Sequence, residues 1–287
     1  MNNQTGLRIA FIGGGNMARA LIGGLLRQGV QAGHISVGEP QSSLREALQR
    51  ELAVTAVADN ALAIRDAQLV ILAVKPQSVA SVAQELGGAL RARRPVLLSI
   101  VAGLRIAELA RICSGAAAIV RAMPNRPALI GAGVTGLYAP TSVTDTQRNM
   151  AERVASAAGR ALWLRSEAEL DIVTALSGSG PAYFFLLAEQ LALAGESLGL
   201  ERETALLLAR DTLYGAGALA HSARCLAEER AAVTSKGGTT EAALQTLELG
   251  GFDALIDRAV RAACERSVTL ADSVAAALGA TPDLTRS

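Results

Sequence analysis

Short apolar runs separated by helical stretches fill the first half of the chain, and this alternation leaves few folds open. Leu7–Ile12 (LRIAFI) reads as a strand, followed by Gly13-Gly14-Gly15-Asn16-Met17-Ala18 and a helix through Gln28. His34–Val37 reads as a second strand that ends at Glu39-Pro40, Ser43–Leu52 as a helix and Ala53–Val57 as a third strand. Leu69–Val74 (LVILAV) is apolar throughout and stops at Lys75-Pro76. Val79–Leu90 has helical spacing, Pro95–Val101 is another strand, and Ala118–Ala122 and Val134–Tyr138 are shorter ones. Continuous apolar strands between helices predict an α/β fold whose mostly parallel sheet is covered on both faces.

Beyond Gln147 the texture changes. Arg148–Ala158 reads as a helix and Ala161–Leu164 as a last strand. From Glu167 onward the chain is rich in Ala and Leu at helical spacing, which places a boundary near Arg165 and predicts domains over 1–165 and 166–287, the second all-helical. Within it, Thr174–Leu200 opens on a glycine–serine loop, Ser177-Gly178-Ser179-Gly180, with Ser179 as N-cap and Pro181 in the first helical turn. The helix that follows carries Phe184, Phe185, Leu186, Leu187, Leu191 and Leu193, and a helix apolar on every face is expected in a core or against another subunit. Thr204–Ala220 reads as a further helix and Phe252–Leu278 as a long amphipathic closing one, while Thr281–Ser287 is expected to fray.

Composition removes several classes of function. The chain has 287 residues, enough for two domains, and its net charge of +1 gives no basic excess for nucleic acid. No uninterrupted apolar run has the length of a membrane span, and the N-terminus does not read as a signal peptide. Cys113, Cys225 and Cys264 are widely spaced and odd in number, which fits neither a disulfide framework nor a zinc site and points to a reducing cytoplasm. His34 and His221 are the two histidines, little material for a histidine-based hydrolase.

Four features carry chemistry. Gly13-x-Gly15-x-x-Ala18 lies between a strand and a helix: the first glycine permits a tight turn, the second lets a pyrophosphate approach the backbone, and Ala18 keeps helix and strand close. Glu39, roughly 20 residues further on, ends the next strand where a carboxylate can accept hydrogen bonds from a ribose and repel a 2′-phosphate. Gln41, Ser42, Ser43 and Arg45 in the next turn form a competing phosphate pocket. Val74-Lys75-Pro76 and the Ser99–Gly103 turn, with Ala102, lie at strand carboxyl ends, where open α/β sheets bind ligands. Met123-Pro124-Asn125-Arg126-Pro127 is a rigid loop able to hold Asn125 as an orienting partner. Thr234–Thr240 (TSKGGTT) puts hydroxyls and glycines before a helix starting near Glu241, a plausible grip for a carboxylate, although Glu241 competes for the same dipole.

In this order FIGGGNMA, AVKPQ, AMPNRP, LSGSGPAYFF and TSKGGTT resemble the pyrroline-5-carboxylate reductases, from about Leu7 to Ala275. The resemblance implies reduction of 1-pyrroline-5-carboxylate to L-proline with NADPH, NADH being accepted too. It implies a Rossmann domain and a helical domain that pairs two subunits, dimers that often build rings, and a cyclic imino acid as the small-molecule partner. The cofactor-binding residues it implies, together with the motifs above, are Gly13, Gly15, Asn16, Met17, Ala18, Glu39, Ser42, Arg45, Asn60, Val74, Lys75, Pro76, Ala102, Gly103 and Asn125. Ser177, Ser235, Gly238, Thr239 and Thr240 are the substrate-binding set, and Thr174 is the residue placed at the imine nitrogen. The family usually has a small threonine after the MPN run, where this chain has Arg126. Two alternatives stay open: a β-hydroxyacid dehydrogenase, which would need a catalytic lysine that Thr174–Leu193 lacks, and a dinucleotide-binding protein without activity.

Overall fold

The computed structural model describes residues 6–113, 118–221 and 224–279. Eight strands form one sheet: β1 (Ile9–Ile12), β2 (Ile35–Gly38), β3 (Thr55–Val57), β4 (Leu69–Leu72), β5 (Val96–Ser99), β6 (Ala118–Met123), β7 (Gly133–Tyr138) and β8 (Gly159–Trp163). Their order is β3-β2-β1-β4-β5-β6-β7-β8. Every neighbouring pair is parallel except β6 and β7, joined through Arg126–Ile130, a short 3₁₀ turn. The predicted mostly parallel sheet is therefore present. The register runs Ile9↔Ile35 on one side of β1 and Ile9↔Leu69 on the other.

Alternation along each strand sends side chains to two cores. Ile9, Phe11, Ile71 and Leu98 join one face with helices α1 (Asn16–Arg27), α2 (Ser42–Leu52) and, from further along the chain, Asp145–Ala155. Ala10, Ile12, Val70 and Leu72 join the other. There they meet α3 (Asn60–Ala63), α4 (Val79–Arg93) and α5 (Ile106–Ile112). The Asp145–Ala155 helix, α6, starts three residues before the predicted Arg148. Thr144 accepts from Gln147 N while the Gln147 side chain accepts from Thr144 N, a capping box that the apolar spacing alone does not reveal.

The remaining helices are α7 (Glu169–Val173), α8 (Gly180–Ser197), α9 (Arg202–Leu219), α10 (Leu226–Ala232), α11 (Thr239–Leu249) and α12 (Phe252–Gly279). Between α7 and α8 the sequence predicted a loop with Ser179 as cap. Instead Thr174–Gly178 is a π-helical turn, Ser179 has helical dihedrals, and the path Glu169–Ser197 is one helix. That helix is, by length and composition, long and apolar enough to cross a membrane, although its apolar run is broken by the Ser-Gly residues. The predicted fraying of Thr281–Ser287 lies outside the described residues.

The chain forms two compact units, Met1–Gly178 with Cys264–Ser287, and Ser179–Ala263. The first holds the sheet and both cores. In the second, Ala192 and Ala205 are the buried hydrophobic residues among those described. Gly195 lets Leu200 and Ala205 approach, since a Cβ there would lie 3.3 and 3.5 Å from them. Its large apolar residues are exposed in the single chain, Phe184 by 59%, Phe185 by 54% and Leu191 by 55%. A core was one of two expectations for this helix; the exposure leaves the other, a second subunit. Apolar surface of this extent on one unit marks an association face. Light scattering on the intact protein should give at least a dimer at micromolar concentration; a stable, monodisperse monomer would contradict this reading.

Candidate active site

Strand order changes direction at β1 and β4, and an open sheet leaves a crevice beyond the carboxyl ends at such a point. The three glycines after β1 there do different things. Gly13 has φ +98°, and a Cβ on it would lie 2.6 Å from Ala73 O; its N–H donates to Gly38 O at 2.8 Å. A Cβ on Gly14 would lie 2.6 Å from Leu48 Cδ1. Gly15 meets nothing within 4 Å. It is the N-cap of α1 and no side chain caps that helix end, so an uncapped helix N-terminus faces open space. A cleft of about 270 Å³ starts here, lined by Gly15, Asn16, Met17, Ala18, Ala73, Val74, Lys75, Ile100, Ala102, Met123 and Pro124. Close backbone approach with free N–H groups is what a dinucleotide pyrophosphate needs, so these residues fit such a cofactor.

Glu39 is turned inward. Its Oε2 accepts from Gly14 N at 2.9 Å and its Oε1 from Gln41 N at 3.0 Å, and the residue is 8% exposed. The carboxylate thus fastens the glycine turn to the turn after β2, and it does not swing outward. Arg45 Nη1 donates to Glu39 O at 2.9 Å and Pro40 O at 2.7 Å. Ser42 and Ser43 are exposed at the start of α2, which no side chain caps. Asn60 is buried; its N–H and Nδ2 both donate to Glu85, and its Oδ1 faces Gly38. Pro76 opens a 3₁₀ turn beside Lys75. Gly103, at φ +72°, faces the Ala271 backbone, where a Cβ would be 3.5 Å away.

At the far end of the cleft, alternate residues along β6 and its continuation hold the segment from Glu167 to Gly178. Arg121 Nη1 donates to Glu167 Oε1 at 2.7 Å, and the same oxygen accepts from Ile106 N at 2.7 Å. Met123 Cε would lie 2.9 Å from a Cβ on Gly178. Asn125 Nδ2 donates to Ser177 O at 3.2 Å and Ser177 Oγ at 3.3 Å, and its Oδ1 accepts from Val134 N at 2.8 Å. The Thr174 hydroxyl donates to Leu170 O at 2.7 Å within its own helix, which leaves its oxygen lone pairs to accept from another group. Arg126 is exposed at the start of the 3₁₀ turn.

In the second unit, the run before α11 is a turn. Gly238 N donates to Ser235 O at 3.0 Å, and Ser235 Oγ lies over Gly238. Gly237 N donates to Glu241 Oε2 at 2.7 Å, so Glu241 already serves this helix end. Ser235 and Thr239 are exposed, and Gly238 and Thr240 are half-buried.

Residues 8–103 match a family described as NADP oxidoreductase, coenzyme F420-dependent, and residues 167–270 match the pyrroline-5-carboxylate reductase dimerisation family. A pyrroline-5-carboxylate reductase of Pseudomonas aeruginosa is 47% identical over 268 residues, which cover 93% of this chain and 98% of that one. The chain belongs to the pyrroline-5-carboxylate reductase family. The reductase of Mycobacterium tuberculosis is 41% identical over 288 residues, 92% of this chain and 96% of that one. A solved reductase structure from Coxiella burnetii superposes with a TM-score of 0.88 at 38% identity, covering 93% and 99% of the two chains. A Plasmodium falciparum structure with NADP bound gives 0.78 at 28% identity, covering 92% and 98%.

The structure of this reductase also brings forward residues that the motifs did not single out. Ile100, Met123 and Pro124 wall the cleft, and the Arg121–Glu167 pair holds the wall from behind. An arginine inside an apolar strand, AIVRAM, is the one sequence signal that could have revealed the pair. Cys113 is not a reactive thiol: burial pushes its pKa up to about 12.

The glycines give a contrast that can be measured. Gly13→Ala should destabilise the reductase by about 1–3 kcal/mol, because the left-handed dihedral and the Ala73 carbonyl both resist a Cβ. Gly15→Ala should leave the melting temperature nearly unchanged and weaken NADPH binding at least about tenfold, or 1.4 kcal/mol. Thermal unfolding and a fluorescence titration with NADPH separate the two.

Proposed function

We propose that the chain carries out the reaction of its family, reduction of 1-pyrroline-5-carboxylate to L-proline with NADPH, the last step of proline biosynthesis. The observation that carries the site assignment is the open Gly15 beside an uncapped α1, at the head of a cleft that runs to Met123. NADPH, when bound, supplies the hydride. A cyclic imine takes its proton from water before reduction, and the resulting iminium carbon is strongly electrophilic. Holding the two reactants in line is then the main task of the protein. A catalytic lysine, histidine or cysteine is not required, and the helix Glu169–Ser197 contains none of these, so nothing favours a β-hydroxyacid dehydrogenase.

In this reading Gly15, Asn16 and Met17 receive the pyrophosphate on the α1 N-terminus, with Val74, Lys75, Pro76 and Ala102 along the cleft. Ser42 and Arg45 read the 2′-phosphate. Glu39 and Asn60 act from below, fixing the turns that carry these groups. The Ser235–Thr240 turn grips the substrate carboxylate, from the same subunit or its partner. Thr174, bonded to Leu170 O in the free protein, is the hydroxyl placed at the imine nitrogen, where it orients the ring. Residues 167–270, which match the dimerisation family, pair two subunits, and such dimers assemble into a ring. The three cysteines are unpaired, which supports a reducing compartment such as the cytoplasm.

The deciding assay follows NADPH oxidation by the loss of reduced-nicotinamide absorbance on adding pyrroline-5-carboxylate, with open-chain 2-oxo and 3-hydroxy acids as controls. Turnover of the controls and not the imine would overturn the proposal. Arg45→Ala should lower kcat/KM for NADPH roughly tenfold, the loss of one charge-assisted contact, and leave the lower NADH activity nearly unchanged. Equal losses with both cofactors would reduce Arg45 to a brace for the Glu39–Pro40 turn.

A further inference from the structure

The π turn has a local cause and a side effect. In an uninterrupted α-helix the Ser177 carbonyl would accept from the N–H of residue 181. That residue is Pro181, which has no N–H and whose ring crowds the carbonyl four positions back. The widened turn at Thr174–Gly178 relieves the crowding. Asn125 Nδ2 donates to Ser177 O at 3.2 Å, and the same amide also reaches Ser177 Oγ at 3.3 Å. Asn125 cannot turn away, because its Oδ1 accepts from Val134 N at 2.8 Å and the residue is 9% exposed. An amide held in this sense offers only N–H to Ser177. The Ser177 hydroxyl must accept from it, which leaves the serine proton for another acceptor. Ser177 is half-buried, and the adjoining Gly178 packs on Met123, a wall of the cleft.

We infer that Asn125 is a positioning residue, which orients Ser177 so that the serine hydroxyl donates to the carboxylate of the substrate. The inference rests on the function proposed above. Asn125 thereby acts on the substrate side through Ser177, a role beside the cofactor contact expected of it from the sequence.

Kinetics with two substrates test this on the intact oligomer: pyrroline-5-carboxylate, and 1-pyrroline, which lacks the carboxylate. Ser177→Ala keeps the backbone carbonyl bond and removes only the hydroxyl. It should lower kcat/KM for pyrroline-5-carboxylate roughly tenfold to a hundredfold, as expected for a hydrogen bond to a charged group, and leave 1-pyrroline within about twofold. Asn125→Ser should lower the ratio of the two kcat/KM values in the same sense. The double variant should show no further fall in that ratio, since both changes break one interaction. A ratio unchanged in Ser177→Ala, or an Asn125→Ser loss that is equal for both substrates, overturns the inference and leaves Asn125 a purely structural brace. A wild-type protein with no imine-dependent NADPH oxidation overturns the proposed function itself, and the inference with it.

Discussion

The missing Cβ of Gly13 governs the nucleotide half of the molecule. Only without it can the chain leaving β1 turn back against the Ala73 carbonyl at the end of β4, which a Cβ would approach to 2.6 Å. β1 is the strand from which the sheet is laid out in both directions, so the close pass fixes where the crevice opens. From the same turn Gly14 N reaches the buried Glu39 carboxylate, and Glu39 in turn holds Gln41 N. One backbone constraint thus sets the position of α1, of the turn after β2 and of the first residues of α2.

Features of the sequence that depend on nearby residues were legible. The apolar runs gave the strands, because a strand buried on both faces must be apolar at consecutive positions. The glycine spacing located the turn before α1 for the steric reasons just described. What escaped the sequence depends on partners far along the chain. The Ser177–Gly180 stretch reads as a loop because glycine and serine usually make one. It is helical here, and Asn125, 52 positions earlier, donates to the Ser177 carbonyl that Pro181 cannot serve. That the Glu39 carboxylate also accepts from the Gly14 and Gln41 amides depends on how the turn after β1 meets the turn after β2, which the sequence does not show. The bond from Thr174 to the carbonyl one turn back is of a kind common for a helical threonine, and it can be expected from the sequence.

Polar groups in the first unit are used mainly to set backbone, and the reacting centre is left simple. Glu167 illustrates the economy: one carboxylate oxygen takes both Arg121 and the Ile106 amide, tying β6, the start of α5 and the approach to α7. Asn125, with donors and acceptor all engaged, does the same two residues beyond Met123. A reaction whose proton comes from water needs alignment more than acid–base power, and a rigid frame around the cleft suits that demand.

The two edges of the sheet bear on how copies of the chain can meet. β3 at one edge has three residues, too few to seed an extended ladder with a neighbour. β8 at the other carries the exposed Arg160, and Trp163 at its end is held by Glu152 and lies under the Arg148 guanidinium. Edge-to-edge strand pairing can run on into fibres, whereas one helical face packed on the same face of a second copy is isologous and closes. With one sheet margin short, the other charged at Arg160, and most of the exposed large apolar residues on helices, helical pairing is the contact that the chain favours between copies.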